Sequence, residues 1–129
     1  MGITGYPYVT GDVLTSSDMN ALVQFDISTQ TADYTAVLND SYQELVLMNK
    51  ATAIAFKIPT NASVAFPIGT VITVLSIGVG VTTISAVTPG TTTVLSAGAT
   101  AASPTLTQYK SAACIKTGTD AWYVVGAIA

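Results

Sequence analysis

Val71-Ile72-Thr73-Val74-Leu75, together with Leu45-Val46-Leu47-Met48 earlier in the chain, decides the fold. Both runs are short and are bounded by turn-forming residues, and the first is dominated by β-branched side chains, so both read as strands rather than helices. A strand with one wet face alternates polar and apolar residues. Neither of these does, so each has two faces that favour a dry environment. A small sheet offers one core. The second face must meet either another sheet of the same chain or another subunit.

Outward from these runs, the sequence from Asp33 onward is punctuated by turn chemistry at intervals of about eight to twelve residues, the all-β pattern. The breakers are Asn39-Asp40, Asn49-Lys50, Pro59-Thr60-Asn61, Pro67-Ile68-Gly69, Gly78-Val79-Gly80, Pro89-Gly90, Ala97-Gly98 and the stretch Thr117 to Asp120. Strands are predicted near 34–38, 42–48, 53–58, 70–77, 81–86, 92–95, 107–115 and 122–128, with Gly78-Val79-Gly80 as a hairpin turn. Residues 91–106 are mostly Thr, Ala, Ser and Gly, and read as a loop or a flat sheet edge. The expected fold is an antiparallel β-sandwich or β-barrel-like module over residues 31–129. An extended arm and one short helix occupy residues 1–30.

The arm is read from Gly2, Gly5, Pro7 and Gly11, which resist helix and central strand alike. The helix is read from Thr15-Ser16-Ser17-Asp18, a capping box in outline, and continues to about Val23. Aromatic and aliphatic side chains in such an arm are explained either by docking onto a partner or by folding back onto their own domain. Tyr6, Tyr8, Val9, Leu14, Met19 and Leu22 are the candidate partner-binding residues. Met1 to Tyr8 lack a basic and an apolar region of the secretory kind, so export by that route is not expected.

Of the 129 residues, 50% are hydrophobic and only 9% are charged, so little of the surface can be covered by solvating charge. The chain carries a net charge of -3, with four lysines and no arginine or histidine. It therefore lacks the concentrated positive field and the bidentate donors that nucleic-acid binding uses. The mean hydropathy is +0.56, yet every apolar run is interrupted well short of the roughly 20 residues of a spanning helix, so neither nucleic acid nor membrane is expected as a partner. The one cysteine, Cys114, excludes an internal disulfide and, without histidine nearby, reads as a small core residue.

No metal, cofactor or catalytic constellation is expected. The carboxylates Asp12, Asp18, Asp26, Asp33, Asp40 and Glu44 do not fall at calcium-loop spacing, and Asp is a routine cap and turn residue. Trp122 has two readings, a carbohydrate-stacking platform or a core or interface anchor, and Phe66, Trp122 and Tyr123 are the candidate core or oligomer-interface residues.

Three blocks carry a resemblance. They are Tyr34-Thr-Ala-Val-Leu-Asn-Asp40 leading into Glu44-Leu-Val46, the run from Ile58-Pro59 to Phe66-Pro67-Ile-Gly69-Thr70-Val-Ile72, and Ile115-Lys116-Thr-Gly118-Thr-Asp120-Ala-Trp122-Tyr-Val-Val-Gly126. Together they resemble small β-modules of head-fibre, decoration and tail-fibre proteins of tailed bacteriophages, over about three-quarters of the chain, from Asp33 to the end. Phe-Pro-x-Gly-Thr and Gly-Thr-Asp-x-Trp are the most specific pieces. Gly11 to Asn20 also looks like the start of phage structural proteins that open with an arm and a helix. The resemblance implies a non-catalytic, homotrimeric module on the virion surface, made in the bacterial cytoplasm and bound to the major capsid protein or another virion protein. Many such modules end long fibres, whereas here the module is almost the whole sequence, which favours a capsid decoration protein or a short head fibre over a receptor-binding tail-fibre tip.

Overall fold

The computed structural model describes residues 25–42, 44–96 and 103–128. The expected arm docking residues and the helix to Val23 lie outside the described residues. Within them the chain forms ten strands: β1 (Asp26–Gln30), β2 (Tyr34–Thr35), β3 (Glu44–Met48), β4 (Ile54–Ile58), β5 (Val71–Ser76), β6 (Thr82–Ala86), β7 (Thr93–Ser96), β8 (Thr105–Leu106), β9 (Ser111–Gly118) and β10 (Ala121–Gly126). A single 3₁₀ turn, Leu38–Ser41, is the one helical element among the described residues. The β-rich expectation holds.

The strands divide into a large sheet of order β1-β3-β5-β9-β10-β7 and a small sheet of order β2-β4-β6-β8. From β1 to β6 the chain alternates between the two sheets at every strand, so that three successive passes stack in parallel: β1, β3 and β5 in one sheet, β2, β4 and β6 in the other. The antiparallel expectation is corrected here. Five of the eight strand pairings are parallel, and the antiparallel ones are β5 with β9, β9 with β10 and β6 with β8. The physical reason is the connection: a chain that leaves one sheet for the other after each strand returns in the same direction, where a hairpin would reverse it.

Gly78-Val79-Gly80 is accordingly a corner between sheets rather than a hairpin turn. The β5–β6 corner lies directly on the β3–β4 corner, with the Gly80 amide donating to the Lys50 carbonyl at 2.9 Å and the Ile54 amide donating to the Val81 carbonyl at 3.1 Å. A Cβ added at Gly78 would stand 2.3 Å from the Lys50 oxygen, and one at Gly80 would stand 1.8 Å from the Thr52 oxygen. The two glycines permit backbone to pack on backbone at this corner.

The buried side chains of both sheets form one cluster. Val46, Met48, Ile72, Val74, Cys114 and Val124 enter it from the large sheet, and Ile54, Phe56, Ile58, Ile84 and Leu106 from the small one. The β-rich unit also takes in Asp26–Gln30, which the sequence reading assigned to the arm. That strand escapes a pattern-based reading because Ile27 is its one aliphatic residue.

Candidate assembly surface

The two most specific sequence pieces meet in space. Phe66 and Trp122 are both buried and pack edge to face, with centroids 5.5 Å apart and planes at 89°. Beside them the Lys116 ammonium, on β9, is buried and donates to Asn61 Oδ1 and to the Phe66 carbonyl, each at 2.7 Å. Asp120, in the β9–β10 turn, accepts from the Asn61 amide at 2.8 Å and from Thr92 Oγ1 at 3.1 Å. Thr70 donates through its hydroxyl to the Pro67 carbonyl at 2.7 Å, and the Gly69 amide donates to the Lys116 carbonyl at 2.8 Å. Each polar partner is matched, so the arrangement is a latch that ties the β4–β5 loop to the final hairpin.

This latch decides between the two readings of Trp122. At 1% exposure its indole face is covered by protein and offers no platform to a sugar ring. Tyr123, the next residue, points the other way and is 45% exposed. Cys114 is fully buried, and burial alone pushes its thiol up to about 12, far from a reactive thiolate.

A second polar cluster lies where β1 and β3 begin. Asp40 accepts from the Tyr34 hydroxyl at 2.7 Å and from the Val37 amide at 2.9 Å, and the Tyr34 phenol is held well above its usual range by burial and by that carboxylate. Glu44 is buried, and its Oε2 has no hydrogen-bond partner among the described residues. Burial raises its pKa, and the charges of Asp40 and Asp26 raise it further. No group of three or more His, Cys, Asp or Glu among the described residues is placed to hold a metal ion.

The surface that stands out is the side of the large sheet facing away from the core. Strand pairing sets Ile27, Leu45, Thr73, Ala113 and Val125 in one row across five strands. Val71, Ile115, Tyr123 and Leu95 form a second row on one side of it, and Thr29, Leu47, Leu75 and Ser111 a third on the other. Neither a lysine nor a carboxylate occurs in these rows. The small sheet supplies the contrast: its outward positions are Thr35, Ala55, Lys57, Thr83, Ser85 and Thr105, a hydroxyl-rich face with a charge. The strands that the sequence reads as apolar on both sides, β3 and β5, both belong to the large sheet. Their second faces are the half-buried centre of this plate, and around it Ile27, Val71, Tyr123 and Val125 are exposed.

No protein-family model, curated protein or solved structure matches this chain. No helix among the described residues is long and apolar enough to cross a membrane.

Proposed function

We propose that this chain is a structural component of a tailed-phage virion, a capsid decoration or head-fibre protein. Its two facing sheets act as a sandwich-like β-domain that trimerises and is displayed on the particle, and its N-terminal arm docks that trimer on the major capsid protein or another virion protein. The observation that carries the reading is the uncharged outer side of the large sheet, opposite a small sheet whose outer side is polar. A surface of that kind is buried in working proteins, because contiguous apolar patches exposed to water drive association. The resemblance of the Phe66–Thr70 and Gly118–Trp122 pieces to phage surface modules supplies the particle.

Three arms on one trimer raise the effective concentration for each further contact, so weak individual sites give firm attachment. An extended segment of about 14 residues reaches on the order of 45 Å, enough to cross onto a neighbouring subunit. The second reading, a receptor-binding tail-fibre tip, has the same β-domain in a different place. Quantitative mass spectrometry of purified particles of the phage that encodes the chain separates them. A decoration protein is present at a copy number comparable with that of the capsid protein, a tail tip at a small fraction of it. Absence from the particles would refute both.

A further inference from the structure

The outer face of the large sheet has three candidate occupants: the chain's own N-terminal segment, a capsid protein, or a sister chain. We propose that it is covered by sister chains, the plates of the three copies closing on one another; the inference rests on the assembly reading above and names the partner of that surface.

The outer side of β1 continues the plate. A solvent-edge strand turns its polar residues outward, but here Ile27, 58% exposed, lies on the outer side, while Ser28 and Gln30 lie on the inner side and bond to each other at 2.8 Å. The strand's single apolar side chain therefore extends the plate rather than the core. The size of the plate also suits a sister chain. Six strands about 4.8 Å apart and about five residues long, at about 3.3 Å each, make a plate of roughly 400 Å² before side-chain relief is counted. Side-chain relief adds to this footprint, which is already about half of the ~800 Å² per partner of a standard stable interface. A single extended arm is one strand wide and spans one of the three rows. Only other broad, flat surfaces cover all three, and three copies of the plate, one from each chain, close on one another around a shared axis. The charges agree with this. All nine lysines and carboxylates in the described residues lie off this face, so identical copies meet there without like-charge repulsion.

Hydroxyl-radical footprinting of the full chain tests the proposal without any substitution. Tyr123 lies in the plate, whereas Tyr109, 75% exposed, lies in the β8–β9 turn. The expected result is several-fold weaker labelling of Tyr123 than of Tyr109 at high protein concentration, with the difference shrinking on dilution. Protection independent of concentration would assign the face to the chain's own segment, and labelling in proportion to the single-chain exposures at all concentrations would leave it for a different protein. Either result overturns the proposal. A substitution pair adds a second readout. Leu47→Lys on the plate should reduce the light-scattering mass to that of one chain with the strand circular-dichroism signal retained, while Thr83→Lys on the small sheet should leave the parent mass unchanged. If Leu47→Lys keeps the parent mass, self-association does not use this face. Abundance in purified particles is a separate measurement, so this inference can fail while the virion assignment stands.

Discussion

Glu44 is the residue that the sequence places least well and the structure loads most heavily. Read along the chain it is one of several scattered acids; in the fold it opens β3 at a buried position, with one oxygen unpartnered among the described residues and two carboxylates nearby. A pKa raised by folding means that the folded chain holds this proton more tightly than the unfolded one. Stability from this group is therefore present at low pH and is lost as pH rises from the ordinary carboxylate range through the raised value. Glu44→Gln removes that loss. Compared with the parent, the variant should gain melting temperature as pH rises above the ordinary carboxylate range, and parallel melting profiles for the two proteins would contradict the assignment. Lys116 was equally hidden, because only the register of β9 against β5 and β10 decides that its ammonium turns inward to Asn61 and Phe66. Phe66 and Trp122 were legible as anchors from their type alone, since large aromatic side chains lose most by staying in water.

At the level of elements, the strands were readable and their partners were not. Predicted runs such as 53–58, 70–77 and 81–86 fall on β4, β5 and β6, because β-branched residues between turn formers mark strands locally. Direction was misread because parallel pairing is a property of connections. In the structure Leu45 pairs with Thr73 and Ile54 with Thr82, 28 residues apart in both cases, and this shared offset sets Lys50-Ala51-Thr52 under Gly78-Val79-Gly80. β1 and β8 were missed for lack of apolar alternation, being polar and very short respectively. The stacked corner makes a sharp prediction. Gly80→Ala places a Cβ where the Thr52 carbonyl stands, so the corner must open; a loss of about 1–3 kcal/mol is expected in denaturant unfolding. A substitution there without measurable cost would mean that the corners do not stack as described.

Across the whole molecule, the two sheets differ in what they turn outward. Hydroxyls and Lys57 on the small sheet suit water, whereas Leu45, Leu47, Leu75 and Ile115 at the centre of the large sheet suit protein. The sequence carried half of this: runs without alternation show that β3 and β5 want two dry faces, and the low charge says that surface must be hidden. Which strands share the plate follows only from the pairing order β1-β3-β5-β9-β10-β7. Whether that plate is covered in solution decides whether the chain assembles as proposed. Multi-angle light scattering of the purified full-length chain measures this directly. One species at three chain masses is expected at high protein concentration, falling toward one chain mass on dilution, and a 13.2 kDa monomer at every concentration would contradict the trimer.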